Sequence, residues 1–257
     1  MDEIVINHLS YNYYNRLGRT STAALQNVNL SFSKGMRVVV CGKNGAGKST
    51  LLSIIAGKKL VKEESVLVFN KPAFHDTTLS SRIGFVGDWW SDDYAMNITV
   101  KDFFAKYKDS KRYRKLLNLF EISEDKLISS ASKGEKKKIQ ILVNLVTRKD
   151  VYIFDEATES LDLISRKLLL EFLKRECIKY NCIIIYSTHI FDYMEKWCSH
   201  VLYLSKGSVA FFSDIGTVTS AKDYTSLADY IFDQMMEETS EEQKMKTLED
   251  MFLADSE

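Results

Sequence analysis

A glycine-rich stretch with the sequence GKNGAGKS, beginning at Gly42, contains the residue types that bind phosphate. Gly45 and Gly47 permit the tight path that turns successive backbone N–H groups toward phosphate oxygens. The Lys48 side chain can reach β- and γ-phosphate oxygens as a point charge, and the Ser49 hydroxyl can ligate Mg²⁺. The spacing G-x-x-x-x-G-K-[ST], between an apolar run and a helical pattern, predicts a site for ATP with Mg²⁺. The positions expected to surround the phosphates are Gly42, Lys43, Asn44, Gly45, Ala46, Gly47, Lys48, Ser49 and Thr50.

Two acidic residues, Asp155 and Glu156, follow the apolar run VYIF at residues 151–154. An Asp at the carboxyl end of a buried strand beside a phosphate loop supplies a Mg²⁺ contact in P-loop ATPases. The adjacent Glu156 points to the other side of the strand and can align and deprotonate an attacking water. A strand that ends in solvated acids is the alternative, but the upstream phosphate loop favours a catalytic pair.

The elements around these residues predict an α/β fold, because apolar strand-like runs alternate with helical patterns. The region 99–149 is basic and helical without a convincing strand, which predicts a helical lobe inserted into the α/β core. The predicted strands cover 3–14, 27–33, 36–41, 65–70, 83–87, 151–154 and 182–187, with a hairpin over 201–204 and 208–212, and the predicted helices cover 48–56, 163–179 and 222–253.

Composition excludes several classes of protein. The net charge is zero, so no bulk electrostatic argument indicates nucleic acid or an anionic membrane. No apolar run approaches the about 20 residues that span a bilayer, and the acidic, strand-like amino terminus does not resemble a targeting peptide, so we expect a soluble protein. The four cysteines lack zinc-ligand spacing and are expected to be buried thiols. Residues 101–150 are basic and residues 221–257 are acidic, and either region is a solvated surface or a docking surface.

Three further segments occur in a fixed order around the acidic pair. The segment SKGE at 132–135 resembles the signature motif of ABC ATPases, SLD at 160–162 resembles their D-loop, and STH at 187–189 resembles their switch-histidine loop. The resemblance covers residues 4 to about 210. It implies a P-loop NTPase fold of the ABC ATPase type, with a mixed sheet, an N-terminal antiparallel β portion and a helical subdomain inserted at about 90–148.

The resemblance implies roles for single residues in nucleotide binding and hydrolysis. Tyr13 lies where the family places an aromatic residue that stacks on adenine, and Tyr11 is the alternative. His189 would contact the γ-phosphate. Together with Lys48 and Glu156, His189 would make up the catalytic set.

The resemblance also implies a head-to-tail homodimer that forms with ATP. Ser132 and Gly134 would close over the nucleotide held by the other protomer, and Asp162 would lie across the same interface. The signature helix would then bring a second N–H-rich helix end to the γ-phosphate. The ATPase domain would cover 1–216, followed by an acidic helical extension at 217–257.

The sequence departs from the family pattern at three places. The signature has Ala131, Lys133 and Glu135 where the family has Leu, Gly and Gln. Asp88 occupies the position of the Q-loop glutamine, where it could ligate Mg²⁺ but adds a negative charge near the γ-phosphate. A tryptophan pair follows at 89–90, where transporter cassettes meet their membrane partner, and it is either core packing or an anchor for a protein partner.

These departures, with the segments 162–174 and 188–197, resemble the soluble single-cassette ABC ATPases that are classed in plants as subfamily I. The yeast representative is associated with the Ccr/Not regulatory complex. The resemblance implies a cytoplasmic protein, with a nuclear location also open, that regulates a macromolecular complex in gene expression. Nucleic-acid binding and membrane insertion are not indicated. The alternatives are the ATP-binding subunit of a membrane transporter, and a nucleotide-gated binding module with negligible turnover.

Overall fold

The computed structural model describes residues 2–14, 21–87, 97–220 and 226–238. The predicted metal ligand Asp88 and the tryptophan pair at 89–90 lie outside the described residues, as does the acidic segment that follows residue 238. None of the described helices combines the length and apolar character needed to cross a membrane.

The strands form two sheets. In chain order they are β1 Asp2–Tyr14, β2 Ser21–Ser33, β3 Arg37–Cys41, β4 Val66–Val68, β5 Lys71–Pro72, β6 Ile83–Val86, β7 Val151–Asp155, β8 Ile183–Ser187, β9 His200–Ser205 and β10 Ser208–Asp214. The larger sheet has the order β10-β9-β3-β8-β7-β6 and is parallel except for β10 at its edge. The smaller sheet is antiparallel, with the order β2-β1-β4-β5. The mixed sheet and the N-terminal antiparallel portion are as predicted.

The helices cover the faces of the larger sheet and form the inserted lobe. They are α1 Lys48–Ile55, α2 Val100–Phe103, α3 Lys111–Phe120, α4 Lys133–Leu145, α5 Leu163–Tyr180, α6 Met194–Trp197, α7 Ile215–Thr219 and α8 Leu227–Glu237. The lobe contains α2, α3 and α4. Helix α3 begins at the N-cap Ser110, whose hydroxyl accepts the N–H of Tyr113, and its apolar side buries Leu116 and Phe120.

Alternation along the central strands divides the interior into two cores. In β3, Val38 and Val40 join a core with the antiparallel sheet and α1, whereas Val39 and Cys41 join a core with the helical lobe and α5. Successive side chains of a strand point to opposite faces, so a strand covered on both sides is apolar throughout. All four cysteines are buried thiols, as predicted.

Two predicted boundaries were wrong. Strand β2 begins at Ser21, not at residue 27, because its first half pairs with the end of β1, and bulges interrupt the alternation there. The predicted strand 65–70 ends at Val68, because Phe69 and Asn70 adopt positive φ angles of 54° and 61° in the turn to β5.

Candidate functional site

The phosphate loop connects the carboxyl end of β3 to α1. Gly47 precedes α1 with a φ angle of 101°, and a Cβ atom there would lie 2.5 Å from the carbonyl oxygen of Ala24. Gly45 has a φ angle of 82°, but a Cβ atom there would meet nothing within 4 Å. Gly47 is therefore required by the fold itself, whereas Gly45 faces open space beside the start of α1, where a phosphate group fits.

Lys48 is buried at the centre of the loop. Its ammonium group donates to the carbonyl oxygens of Gly42 at 2.9 Å and Lys43 at 3.3 Å. It also lies 3.3 Å from His189 Nε2 and 3.7 Å from Glu156 Oε1. The loop thus holds a cation next to two of the predicted catalytic side chains, where it can neutralise phosphate oxygens.

The two acids at the end of β7 have different surroundings. Asp155 Oδ1 accepts hydrogen bonds from Ser49 Oγ at 3.1 Å and Ser187 Oγ at 2.8 Å. Burial raises the pKa of Asp155 above its usual value, and the two serine hydrogen bonds act in the opposite direction. Glu156 has a φ angle of 48°, and its Oε1 lies 2.9 Å from His189 Nε2. The two carboxylates therefore have different partners, although both line the same small cavity beside Ser49.

The Ser49–Asp155 pair fits Mg²⁺, because that ion prefers hard oxygen ligands and keeps several waters. Bound between these residues and a nucleotide, Mg²⁺ would neutralise charge on the phosphates. Glu156 can hold and deprotonate a water molecule, and His189 can fix the Glu156 carboxylate.

Ser187 contacts both acids, a role that the sequence did not predict. The sequence placed Ser187 only in the segment that resembles the switch-histidine loop. It pairs with Asp155 in the parallel register of β7 and β8. Its fully buried hydroxyl donates to Asp155 and accepts the backbone N–H of Glu156 at 3.0 Å. One side chain thereby positions both acids. The available signal was a serine at the end of the strand that neighbours β7.

A groove of about 490 Å³ contains Tyr13 and the phosphate loop, including Asn44, Gly45 and Thr50. Tyr13 is 43% exposed, and its hydroxyl lies 3.0 Å from Thr50 Oγ1. Tyr11 is half-buried and packs edge-on against Tyr13, with ring centroids 5.2 Å apart. Tyr13 is thus the more accessible of the two predicted adenine-stacking residues.

Lys59 was not identified from the sequence. Its ammonium group lies 4.8 Å from the Tyr13 ring, and such a cation–π contact between distant positions leaves no local pattern.

The signature segment begins α4 with a capping box. Ser132 Oγ accepts the N–H of Glu135, and the Glu135 carboxylate accepts the N–H of Ser132 at 2.8 Å. The hydrogen bond from the Ser132 backbone lowers the pKa of Glu135. Glutamate in place of the family's glutamine therefore preserves the cap, and the hydroxyl hydrogen of exposed Ser132 can still point toward a ligand.

The signature and the D-loop form one surface. A Cβ atom on Gly134 would lie 3.1 Å from the carbonyl oxygen of Ser160, and Lys138 Nζ lies 3.4 Å from Asp162. Asp162 caps α5 through the N–H of Ser165, and hydrogen bonds from Ser165 lower the pKa of Asp162 to about 2. The residues Ser132, Gly134 and Asp162 do not line the groove that contains Tyr13 and the phosphate loop.

A small polar cavity of about 160 Å³ separates the acidic pair from the start of α4. Ser49 and Asp155 line one side, and Lys133 and Lys137 line the other. Lys137 is buried and donates to the carbonyl oxygen of Gly87 at 3.4 Å, at the end of β6. Sequence reasoning did not predict a role for Lys137, because a lysine inside a basic run resembles a solvated one.

The chain is similar in sequence to proteins of a plant and of yeast. The chain is 34% identical over 231 residues to ABC transporter I family member 21 of Arabidopsis thaliana, a match that covers 85% of this chain and 82% of that protein. It is 29% identical over 230 residues to CCR4-associated factor 16 of Saccharomyces cerevisiae, covering 80% and 76% of the two chains.

Solved structures share the fold. An ATP-binding subunit of an ABC transporter superposes with a TM-score of 0.75 at 23% identity, covering 91% of this chain and 99% of that one. A dimeric ATP-binding cassette in a post-hydrolysis state, bound to ADP and Pi, superposes with a TM-score of 0.71 at 22% identity, covering 82% and 98%. The predicted α/β fold of the ABC type is confirmed.

Residues 25–159 match the family model described as ABC transporter, which is more than half of the chain. This match, with the plant relative at 34% identity, shows that the chain belongs to the ABC ATPase family and is a nucleotide-binding cassette that binds ATP with Mg²⁺ and hydrolyses it.

Proposed function

We propose that this chain is a soluble ABC ATPase that closes as a head-to-tail homodimer around ATP and thereby regulates a macromolecular complex in gene expression. In this proposal Glu156 is the base that activates water, and Lys48 and His189 hold the γ-phosphate. Ser49 and Asp155 hold Mg²⁺, and Tyr13 stacks on adenine.

The dimer proposal rests on where the signature segment lies relative to the nucleotide groove of the same chain. Ser132 and Gly134 lie with Asp162 on a surface outside the Tyr13 groove. A second copy, turned head to tail, would place its Ser132 hydroxyl and the start of its α4 over the nucleotide. The N-terminus of a helix favours a negative charge, so a γ-phosphate would stabilise this closure and its loss would weaken it.

The regulatory role is supported by the relatives. Two of them are ABC transporter I family members of Arabidopsis thaliana, and a third is CCR4-associated factor 16 of yeast. By this likeness, the partners of this chain are soluble regulators of the CCR4 type. The protein then acts in the cytoplasm or nucleus.

The second candidate is the ATP-binding subunit of a membrane transporter. Its support is a methionine import ATP-binding protein of Protochlamydia amoebophila, 29% identical over 220 residues and matched over 80% of this chain and 64% of that protein.

The proposal also divides the chain into an ATPase domain at 1–216 and an acidic C-terminal extension at 217–257. The extension packs on the core through Tyr230, whose ring lies 5.5 Å from that of Phe211. At its described end, Glu238 lies 3.8 Å from Lys43 of the phosphate loop.

Affinity capture from the native cells separates the two candidates. Tagged Glu156→Gln protein, purified with Mg-ATP, is expected to retain soluble regulators of transcription or mRNA turnover. Copurification of a protein with many membrane spans would instead establish the transporter subunit. The control is the Glu156→Gln, Lys48→Ala double variant, which should lose any partner whose binding needs the closed dimer.

A further inference from the structure

A basic cleft, lined by residues of α3, the α4–β7 connection and the second half of α5, lies between the helical lobe and the core. Its volume is about 440 Å³. It lies at the amino-terminal ends of β7 and β8, whereas the phosphate loop and the acidic pair lie at the carboxyl ends of the strands. The cleft is therefore separate from the nucleotide site.

The floor of the cleft is an ion pair between buried Glu176 and partly buried Arg112. Arg112 donates to both carboxylate oxygens of Glu176, at 2.8 Å and 2.9 Å, and its Nε donates to the carbonyl oxygen of Leu145 at 2.5 Å. The guanidinium also lies over the ring of Phe172, 5.3 Å from its centroid. This bidentate pair is electrically neutral, and it fixes α3 against α5.

The positive charge of the cleft lies on four side chains at its rim. Lys111, Lys115, Arg148 and Lys179 are exposed and line the cleft, and none of them forms an ion pair with a carboxylate among the described residues. Arg148 and Lys179 both approach the ring of Tyr180, at 4.2 Å and 5.3 Å from its centroid. Four cations thus converge on one concavity whose acidic residue is already neutralised.

We propose that this cleft binds a compact, multiply phosphorylated small anion. Cations gathered on the walls of a concave, partly apolar site raise the local concentration of anions. The volume falls within the range of about 300–1,000 Å³ that is usual for small-molecule sites. Lysine and arginine are the side chains that bind phosphate groups, and the Tyr180 ring holds two of them in place.

The concave shape and limited volume of the cleft favour a small anion over an extended polymer. Residues of the lobe and of the core face each other across the cleft, so a bound polyanion would connect α3 to α5. The same phosphate chemistry occurs in a free inositol polyphosphate and in a phosphoinositide head group, and only the free form can enter without a membrane surface.

Calorimetric titration with inositol hexakisphosphate tests the site. Wild-type protein should bind one equivalent, and the Lys115→Gln, Arg148→Gln variant should bind at least about tenfold more weakly. The matched control removes two exposed cations of the same lobe outside the cleft, Lys108→Gln and Arg114→Gln, and should change the affinity less than about twofold. Equal losses in both variants, or no binding by wild type, would overturn the proposal.

Three further arms identify the source of the anion. The Lys48→Ala chain should still bind inositol hexakisphosphate, and loss of binding would place the anion in the phosphate loop. Vesicles of phosphatidylcholine with phosphatidylinositol 4,5-bisphosphate should bind more weakly than the free anion. Tighter binding to these vesicles, or to single-stranded RNA, with the same dependence on Lys115 and Arg148 would refute the choice of a small free ligand. Circular dichroism and the Tm of each variant confirm that it is folded.

Discussion

Replacing Ser187 by alanine should damage catalysis by misplacing both acids at once. The Ser187 hydroxyl donates to Asp155 and accepts the N–H of Glu156, and it is fully buried. Without it, Asp155 Oδ1 keeps only the hydrogen bond from Ser49, and the Glu156 N–H keeps a longer one, 3.3 Å, to the Ser187 carbonyl.

The magnitude follows from these two contacts. Loss of a buried hydrogen-bond partner costs about 1–3 kcal/mol, so we expect a stability loss of about 2 kcal/mol. For a chain of this size that loss lowers the Tm by roughly 4–8 °C. The kcat should fall about 10–100-fold, which is about 1.4–2.7 kcal/mol of transition-state stabilisation, because small displacements of catalytic groups are costly. The lost hydrogen bond is one that lowers the pKa of Asp155, so that pKa should rise and half-saturation should need more Mg²⁺.

Steady-state ATPase kinetics at varied Mg²⁺ concentration measure the effect, with Ser199→Ala as the matched control. Ser199 Oγ accepts the N–H of Arg37 at 2.8 Å and lies away from the acids, at the amino-terminal end of β3. The control should lose a comparable amount of stability with an unchanged kcat. A Ser187→Ala enzyme with a kcat within twofold of wild type and the same Mg²⁺ requirement would refute the assignment of Ser187.

Three further comparisons between variants follow from the geometry. Gly47→Ala should lower the free energy of unfolding by about 3 kcal/mol or more, measured by thermal unfolding, because the added Cβ meets backbone atoms. Gly45→Ala should lower it by only about 1 kcal/mol but should weaken ATP binding in a filter assay. Tyr13→Ala should raise the Kd for ATP about tenfold by fluorescence titration, since stacking on a base contributes about 1–3 kcal/mol, and Tyr13→Phe should not. Glu176→Leu should destabilise by about 3 kcal/mol in calorimetry, and adding Arg112→Met should recover at least half, because the single change leaves a buried charge unpaired.

The side chains that meet around the phosphate loop could be predicted from the sequence because their chemistry depends on local spacing. The phosphate loop fixes Lys48 and Ser49 by their distance from Gly42, and the end of a buried apolar strand fixes Asp155 and Glu156. The structure brings these residues together with one another and with Tyr13.

The rest of the site depends on contacts between distant segments. Ser187, Lys137 and Lys59 acquire their positions from strand register and lobe packing, which no local pattern encodes. Two strand boundaries were wrong for the same reason. Bulges shift the alternation in β1 and β2, and a positive-φ turn ends β4 early.

Sedimentation velocity of Glu156→Gln protein, with and without Mg-ATP, tests the dimeric ATPase most directly. The variant should bind ATP and shift from monomer to a persistent dimer. In an ATPase assay of the same protein, turnover should fall on the order of 10²–10⁴ below wild type. A monomer at saturating Mg-ATP would contradict head-to-tail closure, and unchanged turnover would contradict Glu156 as the base.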